Sequence, residues 1–488
     1  MSIKVIEGIN PKILWQRFYE ISQIPRPSKK EEKILEYLKS WSKDHKFICK
    51  QDKAGNLAIS IPAKKGMETY PIIVLQGHVD MVCEMNKGTQ HDFDKDPLKL
   101  KREGDWIKAE GTTLGSDNGI GVAAGLAIAE DPDAKHGPLE LLLTIDEETG
   151  LTGVNNLEPG FIKGKYLMNL DSEEDAIFYI GCAGGIDTVG TINIIRENAP
   201  NGSASFDLMV SGLKGGHSGS DINVGRANAV KIIARALNAL SNIDISVAHI
   251  SGGQLRNAIP REAEAVLLFD PAKENVVRNI TDTICKNIVS EYIKSDGGLK
   301  ISLKKSENKY SEVFTKSFTG NLINVILALP HGVLEMSQDI PGLVETSTNL
   351  ASIKTLDKEI VIGTSQRSSI ESAKENIANS VKAVLELGHA SVKTGEGYPG
   401  WKPNLNSSIL KLLSDVYKDL YNSEAEVQAI HAGLECGILG NKYPGLDMVS
   451  FGPTITNAHS PDEGVEIKSV EKFYNLLKKV LENAGKLN

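Results

Sequence analysis

Ile72-Ile73-Val74-Leu75-Gln76-Gly77-His78-Val79-Asp80 runs from an apolar strand directly into an imidazole and a carboxylate. The same transition occurs twice more: Leu139 to Ile145 is followed by Glu147 and Glu148, and Tyr166-Leu167-Met168-Asn169-Leu170 by Asp171. In open parallel α/β sheets, ligands bind just beyond the carboxyl ends of the strands. The repetition therefore predicts an α/β sheet carrying its chemistry along one edge. Asp117 and, far downstream, His459 complete a set suited to two-metal hydrolysis. Hard oxygen donors with two imidazoles and no neighbouring thiolate suit Zn, Mn or Co better than an iron–sulfur or structural cysteine site.

Working outward, 488 residues are enough for two or three domains and a sizeable core without disulfides. Apolar content of 41% and charged content of 24% are ordinary for a soluble globular chain. A net charge of -9 argues against a nucleic-acid partner, because neutralising phosphates calls for a basic face. No apolar run approaches the length of a membrane span, and the first residues lack the basic and apolar regions of a leader. Five scattered cysteines without a Cys-x-x-Cys read as reduced thiols, so a cytoplasmic setting is expected.

The N-terminal third alternates helix and strand signals: helices over residues 11–18 and 29–45, strands over 56–61 and 72–75. Ser116-Asp117-Asn118 precede an apolar, small-residue stretch from Gly119 to Ala129 and read as its N-cap, with Asp117 at a positive helix end. From about Gly185 to Gly400 the pattern changes to strand 205–210, helix 225–240, strands 245–250 and 263–269, helix 275–293 and strand 299–303. That β-α-β-β-α-β order is ferredoxin-like. A similar set follows, with helix 318–329, strands 343–353 and 359–363 and helix 369–387, so two related halves are expected. Tyr398-Pro399-Gly400-Trp401-Lys402-Pro403 reads as a return linker. A strand over 447–451, the His459 loop and a final amphipathic helix close the chain.

Five motifs in order then carry a resemblance. Gln76 to Val82, Leu114 to Gly121, Thr144 to Gly150, Asn169 to Glu173 and Asn457 to Glu463 resemble the dizinc exopeptidases. Within that group the chain is similar to the bacterial Xaa-His (aminoacyl-histidine) dipeptidases over essentially its whole length, including Gly215-Gly216-His217-Ser218-Gly219 and His431-Ala432-Gly433-Leu434-Glu435-Cys436-Gly437.

The resemblance implies a three-layer α/β catalytic domain made of both chain ends, residues 1–184 and 401–488, with an inserted α+β (ferredoxin-like) lid and dimerisation domain, residues 185–400. It implies two divalent metal ions, Zn with Mn or Co as alternatives. One would be held by His78, Asp117 and Glu148, the other by Asp117, Asp171 and His459, sharing a water whose pKa falls toward roughly 7. Glu147 would be the general base, and Asp80 would orient His78. A cis peptide after Asp117 is a further implication.

His217 of the lid would donate to the oxyanion. Arg367 would clamp the substrate carboxylate, its alternative being an ordinary surface arginine. Asn257, Gly433 and Glu435 are further substrate-binding candidates, with Glu435 or the backbone around Gly433 as the expected contact to the free amine. The expected function is metal-dependent hydrolysis of Xaa-His dipeptides by a cytoplasmic homodimer. An N-acyl amino acid deacylase or an aminopeptidase would use the same chemistry, and a peptide-binding protein without catalysis is the non-enzyme alternative. His45, His91, His136, His249, His331, His389 and His431 read as surface or core groups.

Overall fold

The computed structural model describes residues 3–487. The chain divides into two compact units, one of residues 1–181, 403–429 and 434–488, the other of 182–402 and 430–433. The architecture is mixed α/β. No helix among the described residues is long and apolar enough to cross a membrane.

The first unit is built on an eight-stranded sheet. At its centre lie Leu139–Thr144, Ile73–His78 and Tyr166–Asn169, adjacent and mutually parallel, with His78 opposite Thr144 and Gln76 opposite Asn169. Every residue of these three strands is buried, as expected where a parallel sheet is covered on both faces. Asp447–Ser450 from the distant C-terminal segment adds in parallel to Tyr166–Asn169. The carboxyl ends thus come to one edge, in register.

A helix, Ser116–Glu130, packs on this sheet, its small side chains allowing close approach. It differs from the sequence reading at its start. Gly115, in the left-handed region, occupies the cap position, no side chain caps the helix, and Asp117 and Asn118 have non-helical backbone. The three side chains read as a cap are engaged elsewhere. Ser116 bonds Glu463, Asp117 meets His78 and His459, and Asn118 Nδ2 donates to the Leu170 carbonyl. The Asp117–Asn118 peptide is cis. Gly77 makes room for this turn, since a Cβ there would lie 2.1 Å from Asn118 Oδ1.

The second unit carries a nine-stranded sheet containing two β-α-β-β-α-β sets. The first comprises Ala204–Ser211, helix Ala229–Ala239, Ser246–Gly252, Ala263–Phe269, helix Glu274–Tyr292 and Lys300–Lys305. Its strands lie in the order fourth, first, third, second, all antiparallel. The second set begins with Gly184–Asn193 and resumes only after the first set is complete, with helix Lys316–Ala328, Val344–Thr355, Glu359–Ser368, helix Glu371–Leu387 and Ser391–Thr394. Its order across the sheet is the same. One continuous apolar core, including Phe206, Leu208, Ile233, Leu350, Ile362 and Val381, underlies both sets.

Three local differences from the sequence reading have identifiable causes. The first helix runs Lys12–Ser22, four residues past Phe18, because Ile21 is also buried. The helix read from Gly225 starts at Ala229, since Gly225 adopts φ +74° and Asn228 caps the Val230 and Lys231 amides. The strand Gly184–Asn193 was not anticipated, its three glycines and interspersed polar residues masking it.

Candidate metal centre

The three central strands deliver His78, then Glu147 and Glu148, then Asp171 to one edge of the sheet, and the kinked start of Ser116–Glu130 brings Asp117. His459 arrives from the loop after Ile455–Thr456, itself in a left-handed conformation. Asp117 sits between two imidazoles. Its Oδ1 is 2.9 Å from His78 Nε2 and its Oδ2 is 3.1 Å from His459 Nε2. Asp171 Oδ1 is 3.3 Å from His78 Nε2, and Glu148 Oε2 is 3.0 Å from His459 Nε2.

Ligand-capable atoms therefore gather as His78, Asp117 and Asp171, and as Asp117, Glu148 and His459. This corrects the partition expected from the sequence, which paired Glu148 with His78 and Asp171 with His459. Asp171 lies beyond the strand neighbouring that of His78, and its carboxylate reaches His78 instead. A third gathering, His78 with Glu147 and Glu148, reflects the adjacency of Glu147 to this set.

The donor set fits cations. Among the described residues Glu148 Oε1 is buried without a hydrogen-bond partner, and Asp171 Oδ1 is buried with only the 3.3 Å approach of His78 Nε2. Buried carboxylates outnumber the imidazoles, an arrangement that costs several kcal/mol per ion unless positive charge compensates it. The protonation tendencies report the same strain. Asp171 is pushed up to about 7 by burial, against the pull of His78. Burial also raises Glu147 well above the carboxylate range. Asp117 is held below its ordinary value because His459 and His78 overcome its burial. His459 is pushed up to about 11 by Asp117 and Glu148.

Asp80, fully buried, faces His78 Nδ1 at 3.3 Å. It also accepts from the Ser28 hydroxyl at 2.7 Å and from the Glu147 and Glu148 amides at 3.1 and 3.2 Å. It therefore ties the imidazole to the turn that carries both glutamates. Asp80 is held down at about 2: burial opposes this, but His78 and Ser28 outweigh it. Glu435, also in this unit, is 1% exposed and hydrogen-bonds Gln76 and Thr144 beneath the strand ends.

Two supports were missed by sequence reasoning. Buried Arg26 donates to the carbonyls of Val79 at 3.0 Å and Asp80 at 2.7 Å, and also to that of Gly115. Glu463, quoted only as the end of a motif, binds the Leu114 to Ser116 turn. Glu173 also faces Asp117, Asp171 and His459, and is pushed up to about 8 by burial and those carboxylates. No local pattern distinguishes such residues from solvated charges.

The other predicted residues belong to the second unit. His217, in the short strand Gly216–His217, accepts at Nδ1 from the Gly219 and Ser220 amides at 3.2 and 3.1 Å. The proton of a neutral ring is thereby assigned to Nε2. Arg367 is 7% exposed in Glu359–Ser368, so it is not an ordinary surface arginine. Its positive charge, added to burial, lowers His217 and holds His431 down at about 3. Asn257 is exposed in the turn beside His217, its carbonyl accepting the Ser218 amide at 2.8 Å. Gly433 lies against the Tyr398 ring. His431, read as an ordinary histidine, is buried with Nε2 2.7 Å from Ser347 Oγ.

Comparison with known proteins places this geometry. The model of Peptidase family M20/M25/M40 matches residues 74–483. The cytosol non-specific dipeptidase of Escherichia coli (strain K12) is 41% identical over 477 residues, covering 98% of each chain. The crystal structure of aminoacylhistidine dipeptidase from Vibrio alginolyticus is similar with a TM-score of 0.90 and 40% identity, covering 98% of each chain. A tripeptidase from Staphylococcus aureus, at 16% identity and TM-score 0.58 over 98% of this chain and 99% of that one, shares the fold. The chain belongs to peptidase family M20/M25/M40 and is a hydrolase.

Proposed function

We propose that this chain is a metal-dependent dipeptidase that acts on dipeptides with a free N-terminus, Xaa-His among them. The observation that carries the reading is the gathering of His78, Asp117, Glu148, Asp171 and His459 in two overlapping groups that share Asp117, with Glu147 beside them. His78, Asp117 and Asp171 would hold one divalent cation and Asp117, Glu148 and His459 a second, with zinc the first choice. When bound, such cations polarise a carbonyl and lower the pKa of water. The Glu147 carboxylate is neither in the two overlapping groups nor spent on a hydrogen bond among the described residues, and it takes and returns the proton as general base. Asp80 fixes His78.

In the second unit, Arg367 is a buried cation with no carboxylate partner among the described residues, and it has the chemistry to receive a peptide's C-terminal carboxylate. His217, its Nε2 proton without a partner among the described residues, has the chemistry to donate to an oxyanion. Asn257 and Gly433 border this cluster. The names of the two close relatives differ in breadth, one non-specific and one aminoacylhistidine, and histidine at the second position is proposed as accepted rather than required. A cytoplasmic homodimer is proposed with them, and sedimentation showing a fully active monomer would remove the dimer.

The deciding experiment is release of histidine from L-alanyl-L-histidine by purified protein, before and after chelation and readdition of Zn or Mn, with N-acetyl-histidine in parallel. Metal-dependent cleavage of the dipeptide alone is expected. Cleavage of only the acetylated compound would make the chain a deacylase. Glu147→Ala is expected to lower turnover by about 10²–10⁴-fold with metal content unchanged, and full activity would remove Glu147 as base.

A further inference from the structure

The Arg367 guanidinium carries five N–H donors and no acceptor. Among the described residues it makes one hydrogen bond, from Nη1 to the Tyr398 hydroxyl at 2.8 Å, while its buried Nε has no partner. Holding a buried cation without a counter-charge is costly, so the remaining donors point to an anion yet to arrive. The Tyr398 hydroxyl is in a matching state. It accepts from Arg367, and its own O–H has no acceptor among the described residues.

Tyr398 is also held in place more firmly than a linker residue would be. Its amide donates to the Gly185 carbonyl at 2.8 Å, its carbonyl accepts from the Gly185 amide at 3.1 Å, and Lys374 Nζ reaches the same carbonyl at 2.7 Å. The ring lies against two glycines. A Cβ on Gly185 would come within 2.7 Å of Tyr398 Cζ and Oη, and one on Gly433 within 2.9 Å of Cε2. Tyr398, in the segment read as a return linker, is therefore part of a built wall, and Gly185 and Gly433 are required by the ring that rests on them. His217 and His431, which share this neighbourhood with Arg367, are held toward their neutral forms by burial and by its charge, so neither competes as a cation.

We propose that the Tyr398 hydroxyl is the second donor of a carboxylate subsite, orienting the Arg367 guanidinium through the hydrogen bond it accepts and giving its own proton to the same substrate carboxylate. The inference rests on the dipeptidase reading above and adds to it a residue that sets preference for a free C-terminus. A carboxylate oxygen takes the phenolic proton, while guanidinium N–H groups take the rest of the anion.

The test uses full-length metal-loaded protein and compares L-alanyl-L-histidine with its C-terminal amide. Tyr398→Phe keeps the ring between Gly185 and Gly433 and removes only the hydroxyl. The expected result is a KM for the free acid raised about ten-fold, with kcat changed by no more than about two-fold and the amide unaffected, the loss of one hydrogen bond to a charged group. Arg367→Ala should raise the KM for the acid further, and adding Tyr398→Phe to it should cost less than in the wild type. If Arg367→Ala raises KM and Tyr398→Phe does not, Tyr398 is no donor and the dipeptidase reading stands. Equal losses on acid and amide would reduce Tyr398 to a packing role and overturn the proposal. If Arg367→Ala leaves KM unchanged, the carboxylate subsite and this inference both fall, and absence of turnover by the wild type would overturn the function itself.

Discussion

Glu463 reaches back across 347 residues of chain to Ser116, taking the Ser116 amide at 2.7 Å and its hydroxyl at 2.6 Å on one carboxylate oxygen. Its other oxygen takes the amides of Leu114 and Gly115 at 2.8 and 2.9 Å. One C-terminal side chain thus shapes the turn that presents Asp117. Glu463→Ala would leave these donors buried and unpaired, at about 1–3 kcal/mol for each group that water cannot reach. The expected outcome is a lower melting temperature together with weaker metal binding, read by thermal unfolding and metal titration. Unaltered metal affinity would separate Glu463 from the site.

Arg26 serves the other side of the same turn. Its guanidinium bonds the carbonyls of Val79 and Asp80 on one segment and of Gly115 on another, and Gly119 lies so close that a Cβ there would be 2.7 Å from Nη2. Lysine cannot span these acceptors with a planar fork. Arg26→Lys is therefore expected to cost about 2–3 kcal/mol in denaturant unfolding and to reduce activity. A variant as stable as the parent would show that the carbonyls find other donors.

His431 supplies a pH dependence of known sign. Burial, then the charge of Arg367, lowers it from 6.5 to about 3. Its folded form stays neutral where its unfolded form takes up a proton. Above about pH 6.5 both forms are neutral and His431 adds no penalty; as pH falls toward 3 the unfolded form gains the proton and stability drops by about 5 kcal/mol in all. Urea midpoints measured between pH 7 and pH 4.5 should fall less steeply for His431→Gln than for the parent. Identical slopes would assign the acid limb to other groups.

Metal removal should be visible without any assay of turnover. Asp117, Glu148 and Asp171 share one small volume with Glu147 nearby, and without cations their mutual repulsion is uncompensated. Chelation is expected to lower the melting temperature, and readdition of Zn or Mn to restore it in proportion to occupancy. A melt indifferent to chelator would contradict a metal centre at these residues.

Much of this was legible in the residues themselves. Apolar runs ending in His78, Glu147, Glu148 and Asp171 declare parallel strands with their chemistry at the carboxyl ends, because burial on both faces demands continuous apolar runs and only the strand ends are free to be polar. The β-α-β-β-α-β pattern of the first set in the second unit was legible too, since side-chain periodicity is local. Tertiary structure alone decided the rest. Which carboxylate pairs with which imidazole depends on the strand order and loop paths that bring Asp171 to 3.3 Å from His78 and Glu148 to 3.0 Å from His459. That Glu463 and Arg26 brace the Asp117 turn, that Tyr398 meets Arg367, and that Gly184–Asn193 opens a set resumed more than a hundred residues later are all long-range pairings. Composition and periodicity carry no record of them, because a hydrogen bond between distant segments leaves no trace in the spacing of either one.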